Sequence, residues 1–303
     1  MAISTPASAT PEAPGAGSPV AARTRSARMR PVRALLGNRA ALVGLAIVGG
    51  YCLLAVAADW LPLPSPVQMV PASRLAGPSW ERPFGADTFG RDLLSRIVFG
   101  ARLSLEVAVA SVAISLVAGT LLGLVAGYAG GWTDQGIMRV MDVFFSFPAI
   151  LLALGIVAAL GPSPSNVIVA IAVVYTPIFA RVVRGPVLAL KEREFVEAAR
   201  ALGAGAPRIV GRHILPNLLS IVIVQASIAL SWAVLTEAAL SFLGLSAQPP
   251  APSWGVMLNE GRQSLELAPH LAIFPGLAIM LAVLGFNLLG DGLRDLLDPR
   301  QHR

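Results

Sequence analysis

Six apolar segments constrain the fold of this chain more than any other feature of its sequence. A helix needs about 20 residues to cross the hydrocarbon core of a bilayer. Six segments reach or approach that length: 40–59, 103–127, 137–160, 166–188, 218–244 and 269–290. Hydrophobic residues make up 55% of the 303 residues and charged residues only 13%, which leaves too little polar surface for a soluble domain. We therefore predict an all-α integral membrane protein with six transmembrane helices.

Proline and glycine indicate how these segments bend and pack. Pro148 and Pro177 are expected to kink the third and fourth segments. Small residues that recur every fourth position suit close contact with another helix, and the second segment contains such a stripe: Gly119, Gly123 and Gly127. The single cysteine, Cys52, lies in the first segment and is expected to be a small buried hydrophobic residue.

The positive charges indicate how the segments are oriented. If the N-terminus is cytoplasmic, 17 of the 23 Lys and Arg residues fall on the cytoplasmic side and 6 on the other. Cytoplasmic loops of membrane proteins carry such an excess, so both termini are predicted to be cytoplasmic. The net charge of +6 is then a topology signal and not a sign of nucleic-acid binding. Arg181 and Arg184, near the end of the fourth segment, are expected to reach the membrane interface.

The domain boundaries follow from this topology. Residues 1–30 begin almost without bulky apolar side chains and are predicted to be a disordered cytoplasmic tail. Residues 31–102 hold the first transmembrane helix and an extracytoplasmic loop, 103–295 the main transmembrane domain, and 296–303 a cytoplasmic tail. A signal peptide cleaved after Ala57 is the alternative for the first segment, but that segment is longer than a typical signal core.

The two extracytoplasmic loops are predicted to differ in structure. In the first, Asp87 is expected to cap a surface helix that leads into the second segment, with this apolar face: Leu94, Ile97, Val98 and Ala101. The second loop is rich in proline and is predicted to be irregular. The loops and their borders also contain residues that we expect at the membrane interface: Trp60, Trp80, Trp254 and Glu237.

A compact charged segment, residues 191–217, separates the fourth and fifth apolar segments. A helix over 192–203 would place four residues on one apolar stripe: Phe195, Ala198, Ala199 and Leu202. Gly203 or Gly205 is expected to end that helix in the left-handed conformation. Two interpretations stay open on physical grounds, namely an amphipathic helix at the lipid surface and a docking element for a soluble partner.

The residues of this charged segment resemble a family. "EAARALGAGAPRIVGRHILP" is similar to the pattern shared by permeases of ABC importers, which this chain matches at these positions: Glu197, Ala198, Ala199, Gly203, Leu215 and Pro216. His213 stands where many families of this class carry Ile. Further stretches, at 36–48, 84–105, 237–258 and 287–300, resemble the second permease subunit of dipeptide, oligopeptide and nickel importers.

This resemblance implies a mechanism and a set of partners. Two homologous permeases would form the pathway, two cytoplasmic ATPases would dock on their coupling segments, and an extracytoplasmic binding protein would deliver the substrate. ATP and Mg²⁺ would be bound by those ATPases, so this chain would need no cofactor and would not be an enzyme. The coupling residues implied are Glu197, Ala198, Ala199, Gly203, His213, Leu215 and Pro216, with Phe195 and Leu202 on the apolar face. The location implied is the bacterial inner membrane.

The residues themselves agree with a non-catalytic subunit. The only lysine, Lys191, is not part of a phosphate-binding loop motif. The three histidines lie far apart and match no catalytic triad or metal-site spacing. Two alternatives are a self-contained secondary transporter, which usually keeps ionisable residues at the centre of its spans, and a membrane scaffold that recruits a protein without transport. The substrate stays open among peptides, nickel chelates, opines and glutathione.

Overall fold

The computed structural model describes residues 38–297. The named secondary-structure elements in this range are all helices. The predicted tail 1–30 and residues 298–303 of the C-terminal tail lie outside the described residues. Within residues 38–297, ten α-helices follow one another: α1 (Arg39–Ala57), α2 (Leu93–Ala129), α3 (Gly131–Phe145), α4 (Ala149–Leu160), α5 (Pro164–Leu190), α6 (Glu194–Ala201), α7 (Ala206–Ile209), α8 (Leu215–Phe242), α9 (Trp254–Gly261) and α10 (His270–Leu297). Short 3₁₀ turns lie at Ala58–Trp60, Pro71–Ser73 and Arg262–Ser264.

Five stretches of helix are long and apolar enough to cross a membrane: α1, α2, α5, the run from α7 to α8, and α10. Helices α3 and α4, which are bent by 89° at a short break, are apolar enough to make a sixth crossing if the pair is counted as one broken span. The break falls at Pro148, where the sequence predicts a kink, because proline lacks the N–H that an uninterrupted helix needs. The described residues thus confirm an all-helical membrane fold with five to six candidate spans, where the sixth depends on counting the bent pair α3–α4 as one span. Helix α5 continues through Pro177.

Helix α2 is longer than predicted. The proposed surface helix and the second apolar segment are one helix of 37 residues, about 56 Å at 1.5 Å per residue. Because the hydrocarbon core is about 30 Å thick, α2 extends well beyond it. Its N-cap is Asp92, whose side chain accepts a hydrogen bond from the Ser95 N–H at 2.8 Å, so the prediction that Asp87 caps this helix is wrong.

Helices α2 and α5 form the most extensive helix–helix contact among the described residues. The glycine stripe of α2 makes a close helix contact as predicted, and the partner helix, which the sequence did not indicate, is α5. A Cβ atom at Gly119 would lie 2.5 Å from the Thr176 carbonyl oxygen, and one at Gly123 would lie 2.5 Å from that of Ala180. The third glycine, Gly127, meets Val187 in the same way. Two helix backbones approach this closely only where side chains are absent.

Two arginines of α5 bind α3. Arg184 forms two hydrogen bonds with the carboxylate of Asp134, at 2.5 and 2.6 Å. Arg181 contacts Asp142 at 2.6 Å and lies 3.8 Å from the centre of the Phe145 ring. These contacts hold the first half of the bent crossing along the end of α5.

Helix α1 lies at the edge of the bundle. Its contacts are mainly with α10, where Gly285 approaches the side chain of Ile47. Many of its other side chains are exposed, and Cys52 is one of them. The prediction of a buried cysteine is therefore wrong for this chain, because an apolar residue in a membrane helix has lipid as an alternative to a protein core.

Candidate functional site: the charged segment and the outer face

The charged segment folds as two short helices that join α5 to α8. Helix α6 ends where predicted, because Gly203 takes a left-handed conformation with φ of +80°. Its N–H donates to the Arg200 carbonyl at 2.9 Å, and the next N–H, of Ala204, reaches the Ala199 carbonyl at 3.0 Å. Gly205 has φ of −71° and starts α7 instead of ending α6. The chain therefore turns sharply between α6 and α7.

Helix α6 has two different faces. Val196 and Ala199 are buried against residues from the end of α5, a π-turn and the start of α8, among them Val187, Ile214 and Leu218. These contacts fix α6 on the bundle by its inner face.

The outer face of α6 carries apolar side chains that nothing in the described chain covers. Phe195 is 42% exposed and Leu202 is 89% exposed, and Ala198 beside them is exposed as well. The predicted four-residue stripe is therefore wrong in one member, because Ala199 belongs to the inner face. Glu197 is also exposed, next to the outer apolar residues.

The second half of the segment enters α8 through a turn of π-helix at Val210–Ile214. The Leu215 N–H donates to the Val210 carbonyl, five residues back. Pro216 follows directly, and it has no N–H to offer to the preceding turn. The amide of Asn217 instead donates to the carbonyl of His213 at 2.6 Å. His213 and Leu215 are half-buried and Pro216 is exposed, so these three residues shape the joint between α7 and α8.

Charge on the segment is mixed and faces outward. Seven charged side chains are exposed, and none forms an ion pair within residues 38–297: Glu192, Arg193, Glu194, Glu197, Arg200, Arg208 and Arg212. A surface with exposed leucine and phenylalanine surrounded by charges of both signs is typical of a protein-binding site.

A buried ion network lies at the opposite end of the bundle. Arg91 donates to Asp87 at 2.5 Å and to Glu260 at 2.9 Å. Arg96 donates to the same oxygen of Glu260 at 2.8 Å, and both arginines are fully buried. Two positive and two negative groups therefore balance each other inside the protein. Sequence analysis missed this network, because Glu260 is 164 positions away from Arg96 and no local pattern connects them.

The network includes helix α9, which lies in the loop predicted to be irregular. Trp254 begins α9 and is completely buried, so the prediction that it lies at the membrane interface is wrong. Its indole N–H donates to the Ile97 carbonyl at 3.0 Å, and its ring meets Tyr51 edge-on. Trp60 and Trp80 are exposed, in contrast. The loop between α8 and α10 is thus packed onto α2.

Glu237 also differs from the sequence prediction. It was expected at the membrane interface, but it is fully buried inside the bundle, five residues before the end of α8. Neither carboxyl oxygen makes a hydrogen bond of good geometry within the described residues. A polar group buried without partners is rare in proteins.

The fold and these surfaces define a multi-pass helical membrane protein, and no group of metal-binding side chains occurs within residues 38–297. Residues 119–303 match the family model of the binding-protein-dependent transport system inner membrane component, and the chain belongs to this family. The matched residues include the charged segment.

Curated relatives agree with this assignment. The chain is 52% identical over 263 residues to the dipeptide transport system permease protein DppC of Alkalihalophilus pseudofirmus. This alignment covers 87% of the present chain and 86% of that protein. It is 53% identical over 224 residues to the glutathione transport system permease proteins GsiD of Pectobacterium atrosepticum and Escherichia coli O157:H7, which covers 74% of each chain.

This membership confirms the predicted class. The chain is a permease subunit of a binding-protein-dependent ABC importer, a multi-pass protein of the inner membrane and a transporter component, not an enzyme.

Proposed function

We propose that this chain forms half of a translocation pathway for peptides or a related small solute, with a homologous permease as the other half. The support is the function of its relatives, one a dipeptide permease and others glutathione permeases. Both substrates contain peptide bonds and charged ends, so one pathway chemistry suits them. Nickel chelates and opines are the other candidate substrates.

We further propose that residues 191–217 couple this chain to a cytoplasmic ATPase that binds ATP and Mg²⁺. The observation that carries this proposal is the two-faced helix α6. Its inner face is buried on its own chain, while Phe195 and Leu202 are exposed on the outer face. Exposed apolar residues of this size favour a partner protein. Ala198 between them lets a partner approach the helix backbone, and Glu197 offers a charge at the rim.

The connection from α6 to the membrane supports a role in transmitting motion. Val196 and Ala199 pack in the same cluster as Ile214 and Leu218, which lie at the start of α8. The helical run from Ala206 to Phe242 is long enough to cross the membrane. A displacement of α6 is therefore passed to α8 through packed side chains. Gly203 keeps α6 at a defined angle to this run, and His213, Leu215 and Pro216 form the joint within it.

The arrangement proposed has two permeases, two ATPases and one extracytoplasmic binding protein, with both termini of this chain in the cytoplasm. The charge bias of the sequence supports this orientation. In this orientation the ion network of Arg91 and Arg96 lies on the extracytoplasmic side, where a binding protein would deliver its substrate.

The test is a complex reconstituted in lipid vesicles, with Leu202→Asp compared with the wild type. We expect this variant to lose most binding of the ATPase and most uptake of a labelled dipeptide, because a carboxylate replaces an exposed apolar contact. The matched control is Leu267→Asp, since Leu267 is 82% exposed in the loop between α8 and α10. This control should keep ATPase binding.

Three results would refute the coupling proposal or the importer function. Normal ATPase binding by Leu202→Asp would mean that α6 is an interfacial helix and not a docking site. Uptake that persists without any ATPase would identify a secondary transporter, and ATPase binding without uptake would identify a scaffold.

A further inference from the structure

Glu237 is the buried acid that the proposed function does not use. Three acidic residues are buried within residues 38–297, namely Asp87, Asp92 and Glu237. The first two accept hydrogen bonds from backbone N–H groups. Glu237 accepts none with good geometry. Its position therefore requires a separate explanation.

Three serine hydroxyls surround the carboxyl group. They come from three parts of the chain: Ser104 of α2, Ser241 of α8 and Ser246 of the loop after α8. Ser104 and Ser246 are completely buried and have no other hydrogen-bond partner in the described chain. No charged side chain within this range faces Glu237 or pairs with it. The group is thus an acid among hydroxyls, without a cation.

The backbone brings the loop to this acid. Gly244 has φ of +79° and reverses the chain directly after α8. Ser246 is thereby turned back toward Glu237. One helical turn after Glu237, the hydroxyl of Ser241 bonds that of Ser253 at 2.6 Å, and Ser253 caps the start of α9. The loop 243–253 is therefore held against the face of α8 on which Glu237 and Ser241 lie.

We infer that Glu237 is a positioning residue, a neutral carboxylic acid that fastens α2 and the loop 243–253 to the outer end of α8. This inference rests on the importer function proposed above and assigns one further residue a role in it. A carboxylate at this place would be desolvated with no positive partner, which is strongly unfavourable. A protonated carboxyl group has one O–H to donate and keeps acceptor capacity for other hydroxyls. Such a group has the donor and acceptor capacity that the two unpaired hydroxyls of Ser104 and Ser246 require.

The first experiment tests the protonation state. Infrared spectra of the purified complex at neutral pH are compared for the wild type, Glu237→Gln and Glu81→Gln. We expect a C=O band of a protonated acid in the wild type that is lost in Glu237→Gln. It should persist in Glu81→Gln, because Glu81 is exposed. The same spectrum for wild type and Glu237→Gln would overturn the inference.

The second experiment tests the positioning role through a conservative replacement. Glutamine is neutral, has nearly the same shape and both donates and accepts hydrogen bonds. Uptake of a labelled dipeptide by Glu237→Gln should stay within about twofold of the wild type, while Glu237→Ala should lose about tenfold, since it leaves two buried hydroxyls unpaired. The double variant Ser104→Ala with Ser246→Ala removes the partners and should recover part of the loss when combined with Glu237→Ala.

The outcomes separate this inference from the proposed function. If Glu237→Gln loses as much uptake as Glu237→Ala, the acid is charged in the native state and the inference is wrong. If the wild-type complex takes up neither a labelled dipeptide nor glutathione, the proposed substrate class is wrong. The infrared band and the thermal stabilities of the two variants still decide the state of Glu237 in that case.

Discussion

The substitution Arg96→Met is the strongest test of the buried ion network. Arg96 is fully buried and its guanidinium lies 2.8 Å from Glu260 and 3.5 Å from Asp87. Methionine preserves much of the side-chain volume but removes the positive charge. Two carboxylates then share the single cation of Arg91, so the network changes from balanced to net negative.

The size of the effect follows from this imbalance. Removing one partner of a buried ion pair costs roughly 3–5 kcal/mol, because the remaining charge stays buried without compensation. Arg91 still contacts both acids and Glu260 is 17% exposed, so we expect the lower end of that range. A loss of about 3 kcal/mol corresponds to a fall in Tm of about 5 °C for a protein of this size.

The assay is thermal unfolding of the purified complex, with Arg102→Met as the matched control. Arg102 lies on the same helix, but its ion pair with Asp59 is 3.0 Å long and exposed on both sides. Exposed pairs contribute at most about 1 kcal/mol, so the control should change the Tm little. The double variant Arg96→Met with Glu260→Met restores charge balance, and we expect it to be more stable than the sum of the single effects by about 2 kcal/mol.

Two results would refute this reasoning. Equal shifts in Tm for Arg96→Met and Arg102→Met would show that burial does not determine the contribution of the network. Strict additivity in the double variant would show that Arg96 and Glu260 do not interact energetically, despite the distance between them.

Three further substitutions test the packing and the turns. Gly119→Ala should separate α2 from α5 and cost about 1–3 kcal/mol in unfolding measurements, whereas Gly155→Ala has no atom within 4 Å of the new Cβ and should be nearly neutral. Gly203→Ala should lower the free energy of unfolding by about 1 kcal/mol, because alanine is strained at a φ of +80°. It should also reduce stimulation of the ATPase, because the angle of α6 changes. Unchanged stimulation would contradict the role of this turn. Trp254→Phe loses the hydrogen bond to the Ile97 carbonyl and should lower stability by about 1 kcal/mol, with a shift in tryptophan fluorescence as the check.

The predicted parts of the fold are those that local chemistry determines. Apolar segments become membrane helices wherever they are long enough, because backbone groups must bond within the segment in lipid. The left-handed turn at Gly203 and the contact surface at Gly119 were predicted for a similar reason, since only glycine fits such places. The charged segment was predicted as a unit, although Ala199 was assigned to the wrong face.

The wrong predictions concern places where distant parts of the chain meet. Trp254 was placed at the membrane interface because it lies in a predicted extracytoplasmic loop, and Glu237 because it lies near the end of an apolar segment. Both are buried, because the loop between α8 and α10 folds back onto α2. Asp87 was assigned to a helix cap, but it pairs with Arg91. A sequence pattern indicates which residues are neighbours along the chain. It does not indicate contacts between residues that are far apart in sequence.

By itself the sequence determined the apolar membrane helices, a small-residue contact surface, the sharp turn at Gly203 and the membership of a permease family. Only the tertiary structure decided which face of α6 is free, that α3 and α4 meet at an 89° bend, and that Arg91 and Arg96 are buried with acidic partners while Glu237 is buried without a cation. The physical reason is the distance along the chain between the residues that interact. Helix formation and transfer into lipid depend on residues within a few turns, whereas the burial of a charge depends on a partner that the fold brings from far along the chain.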